Sequence, residues 1–335
     1  MFINNLLNDK HVTIIAEACD NHFGDIKIAK EMALLSKLSG ADAVKFQHHI
    51  PDEEMLRDIP MSSNFTEPLY DFLQKYALSL DDHKELYNYC NSIGIEYLCT
   101  PFSYLAAKQI NKIGVSAFKI GSGEMTDTPM LEKISNFGKP IIISTGMSTF
   151  DEIDRTYNLL SSNNLILMNC TSEYPPVYED INLGVIGIMK ERYPLAKIGH
   201  SDHTPDLYTA FAAAALGATV IEKHITLDKK LPGPDQSVSI DMHELKVLVD
   251  GIRKISLANG NKKQVNKNES EIRKWAHRSV VSITNIKKGE IITNNMIWSK
   301  RPGTGIPSWK MDQVSGKKAL VDIPNNSLIK WNEIE

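Results

Sequence analysis

Cysteine is scarce in this chain of 335 residues: Cys19, Cys90, Cys99 and Cys170 are the only four, and none forms a CxxC pair. Three lie inside apolar runs, as expected for buried, reduced thiols in a cytoplasmic protein. Long apolar stretches are missing too. No run approaches the roughly 20 residues of a membrane span, so no membrane partner is expected. Residues 1–12 have no basic segment followed by an apolar core, so no secretory leader is expected. Basic residues are not in excess. The 37 Lys and Arg face 41 Asp and Glu, a net charge of −4, which argues against nucleic acid as a partner. The balance is uneven, however. Residues 278–335 carry nine basic and five acidic side chains, about +4, on an acidic body.

Two chemical signatures are also absent. The first apolar run exits into E-A-C-D-N-H-F-G, not the G-x-G-x-x-G that holds a pyrophosphate in an open doubly wound sheet. G-S-G-E-M at 121–125 is not the G-x-S-x-G of a serine hydrolase.

What the sequence does have is alternation. Apolar runs at 12–18, 43–47, 96–102, 117–121, 140–145, 165–171, 197–201 and 219–226 alternate with segments of helical spacing. One such segment spans 26–39, and another runs to about residue 92 with Asp81 as its cap. Between 48 and 79 a long polar excursion with three prolines reads as a loop. Eight strand–helix units predict a parallel α/β fold, a (β/α)₈ TIM barrel over 1–257, with an open doubly wound sheet as the alternative. Residues 258–276 are polar, rich in Lys and Asn, and read as a linker. Residues 277–335 show short runs between turn signals, a small β-rich domain.

On a barrel the site lies at the strand exits. Polar residues recur there: Glu17, then Lys45 and Gln47, Thr100, then Lys119, Ser122 and Glu124. Ser144, Ser172, Ser201, His203, Glu222 and His224 follow, with Asp235 in the last loop. Lysines inside apolar strands are costly to bury unpaired. Two of them among Ser and Gly turns point to an anion such as a phosphate or carboxylate. His203 and His224, with Asp202, Glu222 or Asp235 nearby, could hold a divalent metal; satisfied core histidines are the plainer alternative. The chemistry left open is metal-assisted attack on a carbonyl or a lysine Schiff base at Lys45 or Lys119. A non-catalytic sugar-binding barrel is the reading from another class.

The motifs I-I-A-E-x-x-x-N-H-x-G, G-A-D-A-V-K-F-Q, T-P-F-S, K-I-G-S-G-E, S-T-G-M, C-T-S-E-Y-P, S-D-H-T, E-K-H and P-G-P-D run along nearly the whole chain. In that order they resemble the sialic (nonulosonic) acid synthases. R-S-V-V and K-R-P-G-T-G-I resemble that family's C-terminal antifreeze-like (SAF) domain. The resemblance implies condensation of phosphoenolpyruvate with an N-acetylated mannosamine-type sugar to a nine-carbon 2-keto acid and phosphate. It implies a divalent metal, Mn²⁺ with Mg²⁺ or Co²⁺ as alternatives, on His203 and His224. It also implies phosphate contacts from Lys119, Ser122 and Ser201, with Lys45 on the carboxylate side. Gln47, Ser144 and Ser172 belong to the substrate-binding residues. Glu17 is expected to handle the proton, assisted by Glu124 or Glu222. Asp235 and Tyr174 are expected at the sugar. Arg301 is expected to reach the N-acyl group of the sugar on a partner subunit in a domain-swapped homodimer. The S-E-Y form at Ser172 points to 2,4-diacetamido-2,4,6-trideoxymannose as acceptor, ahead of N-acetylmannosamine.

Overall fold

The computed structural model describes residues 2–60, 65, 67–161 and 163–335. Contacts divide the chain into two compact units, Met1–Gly260 and Asn261–Glu335.

The first unit is a nearly closed (β/α)₈ barrel. Its strands are β1 (Thr13–Glu17), β2 (Ala43–His48), β3 (Glu96–Pro101), β4 (Phe118–Ile120), β5 (Ile141–Ser144), β6 (Leu165–Cys170), β7 (Lys197–Asp202) and β8 (Val220–His224). All pair in parallel, in the order β3-β2-β1-β8-β7-β6-β5-β4. β3 and β4 lie side by side and bring the ring round. Every residue of β1, β4, β5 and β8 is buried, because helices cover the outer face and side chains fill the inner one.

Alternation along the strands builds the interior in layers, since side chains two apart share a face. The lower layer is apolar: Ile15, Ala43, Leu98, Ala117, Ile142, Met168 and Val220 pack together with Phe2 and Leu6. Two residues further along the same strands stand Glu17, Lys45, Thr100, Lys119, Ser144, Cys170 and Glu222. The polar layer therefore sits directly above an apolar floor. A helix at Phe2–Leu6 seals that floor. It is too short to show a helical period, and the sequence reading left it without structure.

The opposite strand face carries a different network. Asp202 and Lys223 are register partners on β7 and β8, one residue off the inward positions Ser201 and Glu222. They form a fully buried ion pair at 3.0 Å, and the Asp202 carboxylate also accepts from Thr204 and Thr209. Asp202 is thus committed to packing and is not available to a metal. This corrects the expectation that grouped it with Glu222 and Asp235.

Two local readings also change. The helix after the long excursion is Leu80–Ile93, and its cap is Ser79, in a reciprocal box with Asp82. Asp81 pairs with Lys84 at 2.8 Å instead. The excursion itself contains helices at Pro51–Glu54 and Leu69–Tyr76, while 61–64 and 66 lie outside the described residues.

In the second unit, β9 (Ser279–Ser282) pairs antiparallel with β10 (Ile297–Lys300). Isolated bridges add further strand contacts around a separate core of Val280, Ile286, Ile292, Ile297 and Ile329. The stretch read as a linker contains a helix, Lys267–Ala276, capped by Asn266 and Glu269.

Candidate active site

Every candidate residue except Asp202 and Arg301 lines one cavity of about 360 Å³ at the C-terminal ends of the strands. A larger lateral cleft of about 600 Å³ borders Tyr104, Lys108 and Lys133, and it shares Phe102, Gly123 and Glu124 with the central cavity. The central one is the candidate site, because the buried charges converge there. Arg301 lies in the second unit, exposed, with its guanidinium over the Trp275 ring and Nε donating to the Ala276 carbonyl at 3.2 Å.

Two lysines and two glutamates form the centre. Lys45 Nζ lies 2.5 Å from Glu17 Oε2 and 3.7 Å from Glu222 Oε1. Lys119 Nζ lies 3.4 Å from Glu222 and donates to Ser144 Oγ at 2.7 Å. Lys45 also donates to Thr100 Oγ1, Gln47 Nε2 to Glu17 at 2.9 Å, and Ser201 Oγ to Glu222 at 3.2 Å. The register explains the meeting: Glu17 is opposite both Lys45 and His224, and Ser201 is opposite Glu222.

Burial and neighbours push these groups apart. Burial raises Glu17, with the Glu222 charge adding to it and Lys45 only partly offsetting it. Burial also works against ionised Glu222, but Lys119 and Lys45 outweigh it and hold that carboxyl low. Burial pulls Lys119 down, whereas Glu17 and Glu222 overcome burial at Lys45 and keep it charged. A pair of carboxyls driven in opposite directions is the usual ground for assigning one to proton transfer. Glu124 is pushed up to about 7, chiefly by burial, and its Oε2 has no hydrogen-bond partner.

A Ser–Gly wall adjoins Lys119. The Gly146 N–H donates to Ser122 Oγ at 3.1 Å. A Cβ at Gly146 would lie 2.8 Å from Ser122 Oγ and closer still to Ser172 Oγ, so both hydroxyls depend on that glycine. The wall offers hydroxyls for an anion held by Lys119.

The histidines face each other across 5.2 Å between ring centroids, and Tyr174 stacks on His203 at 4.3 Å. His203 Nδ1 donates to the Thr171 carbonyl at 2.8 Å, which leaves Nε2, 3.3 Å from the Tyr174 hydroxyl, as the nitrogen with a lone pair to offer. His224 is held neutral by burial and by the surrounding cations. Its Nδ1 is buried without a hydrogen-bond partner, 3.8 Å from Asp235 Oδ2. A neutral imidazole with an unsatisfied buried nitrogen beside a carboxylate fits a divalent cation.

The sequence reading missed several lining residues. His49 closes the β2 side: it contacts Gln47 Oε1 at 3.0 Å and Glu54 at 3.1 Å, and it stacks on Phe102. Asp20 is pushed up to about 6 by burial, and Cys170 sits 4.0 Å from His203 Nδ1. Asp20 and His49 carried a signal as polar residues just beyond a strand exit, and Cys170 as a thiol at the end of an apolar run that a catalytic reading could use.

The NeuB family model matches residues 32–264, and the SAF domain model matches 277–335. The chain belongs to the NeuB family. A Campylobacter jejuni relative named N,N'-diacetyllegionaminic acid synthase is 38% identical over 96% of this chain and 99% of its own length. The mouse N-acetylneuraminate-9-phosphate synthase is 34% identical over 96% of this chain and 92% of its own. Among solved structures, a spore coat polysaccharide biosynthesis protein of Bacillus subtilis is similar at a TM-score of 0.65. It is 32% identical and covers 97% of this chain and 95% of its own. This NeuB-family chain is therefore an enzyme, a phosphoenolpyruvate-dependent transferase of the nonulosonic acid synthase type. Among its described residues no helix is long and apolar enough to cross a membrane.

Proposed function

We propose that this enzyme condenses phosphoenolpyruvate with 2,4-diacetamido-2,4,6-trideoxymannose, giving a nine-carbon 2-keto acid and phosphate. One arrangement carries the reading: paired lysines and glutamates beside a Ser–Gly wall, with two facing histidines, in one cavity. Lys119, Ser122 and Ser201 hold the phosphate, with Ser144 positioning Lys119. Lys45, kept charged, holds the carboxylate. Ser172 and Tyr174 border the sugar, and Asp235 reaches it from the last loop. His203 and His224 hold a divalent cation, Mn²⁺ by family resemblance, which supplies Lewis-acid polarisation of the open-chain aldehyde.

Carbon 3 of the enol attacks the aldehyde carbon, and the aldehyde oxygen takes a proton. Water adds at carbon 2 and gives its proton to Glu17. The resulting tetrahedral carbon expels phosphate by C–O cleavage. Glu222, held ionised, stabilises the two lysines. By the same resemblance the enzyme is a cytoplasmic homodimer, with Arg301 of one subunit on the N-acyl group in the other.

The Campylobacter relative's name and the S-E-Y sequence at Ser172 support the diacetamido sugar. The test is phosphate release and product mass with phosphoenolpyruvate plus either that sugar or N-acetylmannosamine. A higher kcat/KM with N-acetylmannosamine would overturn the choice of acceptor.

In this reading Glu124 gives the aldehyde oxygen its proton. Its carboxyl is protonated below about 7, so kcat/KM is expected to fall as pH rises through that value. Glu124→Gln should lower the rate by about 10²-fold and flatten that limb. An unchanged limb in the variant would assign the titration to another group.

A further inference from the structure

Two hundred residues of chain separate Cys19 from the last loop, yet its thiol lies in the metal pocket. One donor atom each from Cys19, His224 and Asp235 falls within 4.8 Å of the others. Cys19 is fully buried and His224 is 5% exposed. The His224 Nδ1 aimed into this group has no hydrogen-bond partner. Cys19 also holds φ 41°, a left-handed backbone that side chains other than Gly, Asn and Asp rarely adopt. In that conformation the chain turns back at the β1 exit with its thiol beside Asp235. No role assigned above accounts for a cysteine at this position.

Resting on the two-histidine metal reading, we propose that Cys19 is a thiolate ligand of the metal centre, with His224 and Asp235. The centre then prefers a borderline-soft ion such as Co²⁺, Zn²⁺ or Fe²⁺ over Mn²⁺ or Mg²⁺ more strongly than histidine and carboxylate alone would. On binding, the thiol gives its proton to solvent as the sulfur–metal bond forms. Without the ion, burial and the nearby carboxylates Asp235, Glu17 and Asp20 keep the thiol protonated. A divalent cation reverses that local balance. Asp235 offers one oxygen to the ion and keeps the other for the sugar. His203 completes the set from across the pocket, its ring centroid 5.2 Å from that of His224.

The test is Co²⁺ titration of the full-length protein, stripped by chelator under reducing conditions and followed by absorbance. The wild type should bind one equivalent and show an intense near-ultraviolet sulfur-to-cobalt band beside weaker visible bands. Cys19→Ser and Cys19→Gly should keep the visible bands and lose the near-ultraviolet one. Glycine suits the left-handed backbone, so that variant separates loss of the ligand from loss of the fold. The Co²⁺ to Mn²⁺ affinity ratio should fall by about tenfold or more in both, at least the effect of losing a ligand's hydrogen-bond partner. One bound Co²⁺ without the near-ultraviolet band in the wild type overturns the thiolate and leaves the histidine centre standing. A band that survives in Cys19→Gly also overturns it and moves the sulfur to Cys170. No Co²⁺ binding by the wild type overturns both readings.

Discussion

Lys119→Ala is expected to lower kcat/KM for phosphoenolpyruvate by about 10²–10⁴-fold. The ammonium is buried and held by Ser144 at 2.7 Å and Glu222 at 3.4 Å. Without it, Glu222 keeps only Lys45, at 3.7 Å, as a cation. An incoming phosphate would then meet a carboxylate no longer neutralised on that side. Breaking a buried charge pair by removing one partner costs about 3–5 kcal/mol, and each 1.36 kcal/mol is tenfold in rate. Lys119→Arg is expected to fail as a rescue, because a planar guanidinium needs room that Ser144 and Glu222 leave only to a compact ammonium. Phosphate release measured across phosphoenolpyruvate concentration, with thermal denaturation as a control for folding, decides it. A folded Lys119→Ala variant with wild-type kcat/KM would remove Lys119 from the phosphate subsite.

His224→Ala is expected to abolish one-equivalent metal binding and to lower kcat by about 10³-fold or more. Lewis-acid stabilisation is worth several kcal/mol in the transition state, and about 4 kcal/mol corresponds to that factor. The variant removes the nitrogen that lacks any protein partner, Nδ1, so little folding energy should be lost with it. Chelation of the wild type should reproduce the loss, and added Mn²⁺ or Co²⁺ should reverse it. The checks are calorimetric metal binding and elemental analysis alongside turnover. Full turnover by protein with no detectable metal would sink the metal reading altogether, and Glu124 and the lysines would have to carry the polarisation of the aldehyde.

The two experiments separate halves of the site that the fold keeps on different strands. Lys119 and Ser144 come from β4 and β5, His203 from just beyond β7, and His224 from β8. Glu222 and Ser201 join the halves, since both lie on the histidine strands and Glu222 faces both lysines. A Glu222 variant would therefore disturb both subsites and is the poorer diagnostic.

Much of this was readable in one dimension. A strand buried on both faces is a short apolar run, and eight such runs with helical segments between them specify a barrel. Charged and hydroxyl residues interrupting those runs at their ends can only stand at the rim, so Glu17, Lys45, Lys119, Ser144, Ser201, Glu222, His203 and His224 were identifiable by position. The sequence by itself determined the fold and the rim.

Tertiary structure decided which rim residues meet and which turn away. Asp202 and Glu222 look alike in sequence, but strand alternation sends Asp202 outward to Lys223 and Glu222 inward to the lysines. The floor of the barrel is closed by Phe2 and Leu6, from a helix too short to leave a period. Cys19 reads as one more buried thiol until a left-handed turn and the closure of β1 against β8 bring it to His224 and Asp235. The physical reason is the same in each case. Periodicity reports which face a side chain takes, whereas contact between residues 200 apart depends on ring closure and backbone conformation, which no local pattern encodes.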